Sequence, residues 1–438
     1  MTLRFRKVQS EFHRTMKIAV IGAGFTGLSA ALYLSRKNHP VEIFEKEKTP
    51  GGLVQGFKKN TWQWTVEKHY HHWFTNDHYA LNLITELGLK KDLLVLSPLT
   101  SVYYQNKISP FNSPQDVLSF PRLSFSEKIR CGLVLTYLKI LPARLAVKLE
   151  RFTAYDWLTK YFGLRTFSIL WQPLLDGKFG PPPKGFASKV NMAWFWARIK
   201  KRTPRLAYLK GGYRRLMEAM EDRIKKSGGR FYLGKPFDKN LIKNYDKVIF
   251  TAPSAVFLNI FPSLPSPFRK RLSDIPHLHA LNLLLITKDK ILPDEYWLNI
   301  NHSNYPFLAV VAHTNFVDKK YYGNNHLTWI ANYLPPGHPY LKMSKEKLFA
   351  VYRPYLQQIN PHFNFKLKTA NYELFFGPFA QPVFGINYSR KKPEFKTPVK
   401  NIYLANMDMV YPWDRGTNYA IELGIKVAKI VETESKTY

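Results

Sequence analysis

The sequence predicts an α/β fold: a parallel-sheet domain interrupted by a mixed α+β domain. Three observations carry this. A short apolar run, Lys17 to Ile21, meets a glycine-rich turn and then a helix-period stretch, Leu28 to Arg36. A second apolar run, Val41 to Glu45, completes a β-turn-α-β unit of the kind found in buried parallel sheets. Segments of the same texture return near 211–251 and 401–438, separated by long stretches without that rhythm.

Residues 1–15 read as an N-terminal extension. They carry Arg4, Arg6, Lys7 and Arg14 but lack the apolar centre of a signal peptide, and Met16 directly precedes the first strand, so Met1 and Met16 are both candidate starts. Gly22-Ala23-Gly24-Phe25-Thr26-Gly27 then forms G-x-G-x-x-G between strand and helix. The first glycine permits the tight turn, the second lets backbone approach a pyrophosphate, and the third lets helix and strand pack closely. The helix N-terminus offers unpaired N–H groups to the phosphates. Glu45 lies 21 residues beyond Gly24, at the end of the second strand and before Lys46, where a carboxylate accepts hydrogen bonds from both ribose hydroxyls. This is a Rossmann-type unit.

From Trp62 to Arg202 the chain is aromatic and basic, with Pro and Gly breaks. Thr153-Ala154-Tyr155-Asp156 reads as an N-cap opening a short helix that ends near Gly163. Gly211-Gly212 precedes a helix with Leu216, Met217, Met220 and Ile224 on one face, ended by Gly228-Gly229. Strands follow at Arg230 to Leu233 and Lys247 to Thr251. Asn401 to Asn406 is the last strand, and a final helix starts near Asn418. The expected organisation is a discontinuous cofactor domain of 16–65, 203–256 and 396–438, with 66–202 and 257–395 forming the substrate domain.

Composition narrows the classes. Of 438 residues, 45% are hydrophobic and 15% aromatic, which excludes disordered and low-complexity chains. The single cysteine, Cys131, excludes an internal disulfide framework, a Cys-rich zinc site and an iron–sulfur cluster. A formal charge of +34 points to an anionic partner: nucleic acid, anionic lipid or a phosphorylated substrate. No stretch is long and apolar enough to span a membrane; the best, Cys131 to Leu138, stops at Lys139. The expectation is a cytoplasmic protein, with a peripheral place on the inner face of the membrane as its further possibility.

Pro50-Gly51-Gly52-Leu53 distinguishes the cofactor. A Gly-Gly pair six residues after the ribose acid is unnecessary for a nicotinamide dinucleotide, and it resembles the second glycine motif of glutathione-reductase-like FAD enzymes, without their flanking arginines. From Met16 onward the chain resembles the flavin amine oxidase, protoporphyrinogen oxidase and phytoene desaturase superfamily, in particular its bacterial FAD-dependent oxidoreductases. The resemblance rests on His69-Tyr70-His71-His72-Trp73-Phe74, on Trp171 to Leu175 with Gly177-Lys178-Phe179-Gly180, on Ala193 to Arg198, and on Leu404 to Met407 with Tyr411 to Ala420. It implies that the C-terminal strand, loop and helix close over FAD, with Asn406, Asp408, Gly416, Thr417, Asn418 and Tyr419 as candidate contacts. Asn406-Met407-Asp408 stands where the superfamily has Gly-Asp. It also implies hydride transfer from an organic, lipophilic substrate (amine, isoprenoid or porphyrin-like) to FAD, reoxidised by oxygen, a quinone or another acceptor. No second G-x-G-x-x-G follows, which disfavours reduction by NAD(P)H. The rival reading is a non-redox flavoenzyme resembling UDP-galactopyranose mutase. A non-catalytic basic scaffold leaves the glycine motif unexplained.

No catalytic residue is assigned by spacing. His69, His71 and His72 are pocket candidates: in a strand 69 and 71 share a face, yet no carboxylate or cysteine completes a metal set, and the resemblance places the run near the flavin. Lys178, in its Gly-Lys-Phe-Gly turn, reads as a solvent-exposed turn lysine, with a place in the flavin pocket as the alternative. The run from Arg198 to Arg215 lacks any nucleic-acid module; it fits a surface for anionic lipid headgroups or a plain solvated face. Phe125 to Phe152 reads as an interfacial or a packed helix. Oligomeric state is open.

Overall fold

The computed structural model describes residues 15–434 except Ser303, Leu367, Thr369 and Ala370. All but Thr15 of the expected extension lies outside the described residues. Five strands form a parallel sheet: β1 (Ile18–Ile21), β2 (Val41–Glu45), β3 (Arg230–Leu233), β4 (Lys247–Phe250) and β5 (Ile402–Leu404), in the order β3-β2-β1-β4-β5. Every residue of β1 is buried because both faces are covered. Ile18 and Val20 join the core with Leu28 and Leu32, while Ala19 and Ile21 pack with Phe257 and Leu272. Such two-sided burial is why β1 reads as continuously apolar.

Three helices cover the first face: α1 (Phe25–Ser35), α2 (Tyr213–Lys226) and α3 (Thr417–Glu434). Helices α1 and α3 meet backbone to backbone. A Cβ added at Gly424 would stand 2.2 Å from the Thr26 carbonyl oxygen. The C-terminal helix thus lies directly against the helix that opens at the glycine turn.

The second layer is a seven-stranded mixed sheet built from 99–110 and 277–382. Its strands run Tyr372–Pro382, His277–Thr287, His326–Leu334, Ala309–Ala312, Glu295–Ile300, Leu99–Tyr104 and Lys107–Pro110, with Glu295–Ile300 and Leu99–Tyr104 parallel. Helices between 114 and 201 form a third mass with its own core, including Phe120, Leu138, Phe162 and Trp196. All five parallel strands come from the three expected cofactor segments. Leu206–Leu209, also inside 203–256, instead pairs with Trp73–Phe74 and Leu93–Leu96, stitching that segment to the inserted region. Among the described residues no helix is long and apolar enough to cross a membrane.

Candidate functional site: the glycine turn and the adjoining cationic cleft

At the end of β1, Gly22, Gly24 and Thr26 keep accessible surface while Ala23, Phe25 and Gly27 pack inward. The three glycines divide the work as their chemistry requires. Gly22 sits at φ +101°. A Cβ at Gly27 would overlap the Gly22 carbonyl oxygen at 1.9 Å, whereas a Cβ at Gly24 would meet nothing within 4 Å. The space over Gly24 is therefore open and edged by backbone, the cradle a pyrophosphate needs. The Gly51 N–H donates to the Ala23 carbonyl at 3.0 Å, and a Cβ at Gly52 would stand 3.7 Å from the Gly24 Cα, so the Gly51-Gly52 pair lies against the turn. Gly52 has φ +54°. The residues present fit a dinucleotide of FAD length.

Glu45 reaches back under the turn, accepting from the Ala23 N–H at 2.8 Å and from the Glu47 N–H at 3.0 Å. Lys46 turns its side chain to solvent beside Glu47. At the far edge of the sheet, Asn406 Oδ1 accepts from the Asp408 N–H, and its amide donates to Ser254 Oγ and the Ala252 carbonyl. The Asp408 carboxylate is engaged by Ser254 and by His277 Nε2 at 2.6 Å. Thr417 Oγ1 accepts from Trp73 Nε1 at 2.6 Å, and Asn418 Oδ1 accepts from the Ala80 N–H at 3.2 Å. These two side chains fasten the start of α3 to residues 73–80. Gly416 is exposed, and the Tyr419 ring stacks parallel to Trp413.

The histidine run is an extended loop, not the strand face its alternation suggests, because His71 Nδ1 bonds back to the His69 carbonyl at 2.6 Å. The three rings diverge. His69 Nδ1 pairs with the Asn282 amide at 2.8 Å, His71 lies against Tyr213, and His72 Nδ1 meets the Tyr296 hydroxyl at 3.0 Å. Burial first, and neighbouring positive groups after it, push His69 and His72 down to about 3. For His71 burial leads and Arg415 adds to it, against the bond to the His69 carbonyl, leaving about 4. All three are neutral at physiological pH.

Lys178 departs from expectation. The Gly-Lys-Phe-Gly stretch is the last turn of a helix, Gln172–Phe179, which ends where Gly180 takes φ +80°. Phe179 and Trp194 wall the lysine in, so its side chain is 9% exposed, not solvated. Its ammonium lies 3.5 Å from Asp414 and 4.8 Å from the Trp194 ring centroid. Burial and then the Arg198 charge hold it well below the ordinary lysine range, against the pull of Asp414. Arg198 pairs with the same Asp414 and leans on Trp194. Arg415 donates to Gln381 Oε1 at 2.9 Å and lies over the Tyr333 ring.

The basic run therefore does not form one surface. Arg198 turns into the protein toward Asp414, Lys201 donates to the Asn76 carbonyl, and Arg214 pairs with Glu218. Sequence reasoning missed Asp414 and Arg415 as site residues although both stand in the C-terminal loop. The signal available was an acid beside an arginine in a chain where acids are scarce. It also missed Gly377, where a Cβ would stand 2.8 Å from His69 Nε2 and 3.0 Å from Leu53 Cδ2. Glu67 was missed too. It is fully enclosed, accepts from the Tyr213 N–H and the Tyr208 hydroxyl, and is raised by burial to about 7. A cavity of about 320 Å³ is lined in part by Tyr411, Trp413 and Tyr419 and one of about 450 Å³ lies beside Phe186 and Ile386, and neither is bordered by Gly24, His69 or Arg415.

The comparisons fit this arrangement. Residues 25–431 match the family described as flavin-containing amine oxidoreductase. Coproporphyrinogen III oxidase of Staphylococcus aureus is 23% identical over 303 residues, 58% of this chain and 64% of that protein. The 15-cis-phytoene desaturase of Synechococcus elongatus is 24% identical over 253 residues, 53% of this chain and 52% of that protein. The chain thus spans just over half to under two thirds of these relatives. The structure of reduced UDP-galactopyranose mutase shares the fold, with a TM-score of 0.71 at 17% identity, over 97% of this chain and 99% of that one. With the open cradle over Gly24, the second glycine pair docked on it and the family match over nearly the whole length, the chain belongs to the flavin-containing amine oxidoreductase family.

Proposed function

We propose that this enzyme oxidises a lipophilic organic substrate, isoprenoid-like or porphyrin-like, in a cleft between the cofactor domain (16–65, 203–256, 396–438) and the remaining segments. One observation carries the reading: a continuous line of close approaches. It runs from Gly24 to Gly52 and from Leu53 to Gly377 and His69, with the Arg415 and Lys178 cluster, walled by Trp194 and Tyr333, near enough for the Arg415 charge to act on His69. FAD held by Gly22 to Gly27 and Gly51-Gly52 would supply two-electron chemistry, accepting a hydride from a substrate C–H bond whose companion proton leaves to solvent, with oxygen, a quinone or another acceptor as the final oxidant.

The chain's own residues hold and orient. Gly22 to Gly27 and the Gly51-Gly52 pair bear the pyrophosphate, Glu45 the ribose, and the backbone at Gly416 and the start of α3 the far end. His69, neutral and held by Asn282, donates or accepts one hydrogen bond without adding charge. The test is anaerobic mixing of the yellow holoprotein with candidate substrates. An oxidoreductase bleaches its flavin absorbance with the right compound and recovers it in air.

The second reading is a sugar-nucleotide mutase that turns over only after prior reduction and without net redox change. The shared fold and the cationic cleft favour it. Turnover of UDP-galactopyranose by dithionite-reduced protein, with no bleaching by any organic donor, would replace the first reading by this one.

The finer place of the enzyme is the surface of an anionic membrane. The support is the helix Phe125–Ile140, which turns Phe125, Ile129, Leu133, Tyr137 and Ile140 outward at near-fourfold spacing. Phe125 is 77% exposed, Leu133 68% and Ile140 70%. Exposed Arg122, Arg144 and Lys148 flank the stripe, while Arg130 and Lys139 turn their donors to backbone carbonyls of 160–161 and 199–202. An apolar stripe within a basic rim is the pattern of an interfacial helix.

A further inference from the structure

The side-chain cluster around Asp414 carries more positive charge than it cancels. Asp414 is the carboxylate at its centre, paired with Arg198 and with Lys178 at 3.5 Å and accepting from the Arg415 backbone N–H at 3.1 Å. Burial first lowers Arg415 to about 10, with Tyr70 opposing the shift and the charge of Arg198 adding to it, so Arg415 remains a cation at neutral pH. Lys178, in the same cluster, is held down by burial and by these guanidiniums, a second sign that the local field is positive. Asp414 itself is lowered against the pull of burial, by Lys178 and Arg198.

Lys178, Arg198 and Arg415 thus gather about one carboxylate, and Lys178, at 9% exposure, is the cation whose charge is costly to leave uncompensated. Arg415 spends its Nε on Gln381 and a further N–H on the Ala380 carbonyl, which fixes its plane without neutralising it. Arg198 is braced against Trp194 and keeps 40% of its side chain accessible, so it is both positioned and reachable. Arginine held flat in this way binds carboxylate or phosphate through paired N–H donors. The walls alongside are aromatic: Trp194, Tyr333 and, beyond Arg415, Tyr70.

We propose that Arg198 and Arg415, flanked by Lys178, form a subsite for an anionic group of the substrate, a carboxylate or a phosphate attached to an apolar conjugated or isoprenoid body. This rests on the oxidoreductase reading of the same cleft and narrows it. An alkylammonium substrate is repelled by the same residues, and a plain hydrocarbon leaves them unpaired.

The test uses the FAD-loaded protein, followed by the visible difference spectrum and by calorimetry, with pyrophosphate, glutarate and benzylamine as probes at constant ionic strength. Pyrophosphate or glutarate should bind, benzylamine should not, and the tighter of the two anions names the source. Arg198→Ala and Arg415→Gln should each weaken the bound anion at least tenfold, while Arg198→Lys recovers part of the loss. Bound FAD per chain and the flavin midpoint potential are measured on every variant. Binding of benzylamine in preference to both anions overturns the proposal. So does anion binding that survives in both variants, or a variant that shifts the flavin potential or loading and leaves anion affinity intact. Protein that never binds FAD fails the underlying reading instead, and that result is seen before any probe is added.

Discussion

Gly24 separates binding from folding more cleanly than any other residue in the turn. Its φ of −76° suits any residue, and a Cβ there touches nothing within 4 Å. Gly24→Val should therefore leave the melting temperature of the FAD-free protein within about a degree, because nothing in the fold is displaced. It should abolish FAD retention, because the branched side chain occupies the cradle. Bound flavin per chain after gel filtration, read beside circular dichroism, checks both halves. Gly27→Ala behaves oppositely, losing the fold as well, since its Cβ collides with the Gly22 carbonyl. Glu67 offers a pH signature. Its carboxyl is raised from 4.5 to about 7 by burial, so its stabilising contribution is complete below about pH 4.5 and is lost as pH rises through about 7. Glu67→Gln should remove that loss. The stability difference, wild type minus variant, should fall between pH 5 and pH 8 in urea titrations, and a flat difference would refute the assignment.

At the scale of elements, two contacts decide the outcome. Gly424→Ala places a methyl 2.2 Å from the Thr26 carbonyl and 2.9 Å from Ser29 Cβ. Backbone cannot yield as a flexible side chain does, so α1 and α3 must separate, at a cost of about 2 kcal/mol or more. The melting temperature should fall by several degrees, and FAD affinity should fall with it because α1 opens at the glycine turn. The outward stripe on Phe125–Ile140 makes a different prediction. Each apolar side chain taken into a bilayer contributes about 2 kcal/mol, so Leu133→Asp with Ile140→Asp should weaken liposome binding by roughly two orders of magnitude or more. Both sites are exposed, so stability should hold. Co-sedimentation with anionic and neutral vesicles at low and high salt measures this. Equal binding of wild type and double variant, or none to anionic vesicles, removes the membrane reading. Element prediction from sequence was accurate where local chemistry is strong. Thr153 caps Ala154–Phe162 by accepting from the Asp156 N–H, and Gly163 ends that helix. It was less accurate where one residue's neighbours decide, as at Lys178 and in the histidine loop.

Over the whole molecule, the buried histidines set the acid limit. His69, His72 and His313 are held at about 3 and His71 at about 4, below the ordinary 6.5, with burial the largest cause for each. A lowered folded value means stability that is present above about pH 6.5 and lost as pH falls through the folded values, because the unfolded chain binds protons that the folded chain refuses. Glu67 and the raised His277, Asp77, Asp176 and Glu221 pull the other way, but His279, His326 and His338 are lowered as well, so the histidines prevail. Stability should drop steeply from pH 6.5 toward 4, and His313→Phe should soften the slope; an unchanged slope would count against these shifts.

The sequence by itself determined the cofactor unit. G-x-G-x-x-G, Glu45 and Gly51-Gly52 are local necessities, each imposed by a turn or a close backbone approach within about thirty residues, and local constraints leave a local pattern. The parallel strands were legible for the same reason: burial on both faces writes an unbroken apolar run. Tertiary structure alone decided the cleft. Arg198 and Asp414 are 216 residues apart, Lys178 reads like any turn lysine, and Gly377 bears no motif, yet the first three meet one another and Gly377 meets His69. Charge in a sequence is a sum over the chain. Whether a guanidinium faces lipid, water or an enclosed cleft depends on what packs around it, and no spacing along the chain encodes that.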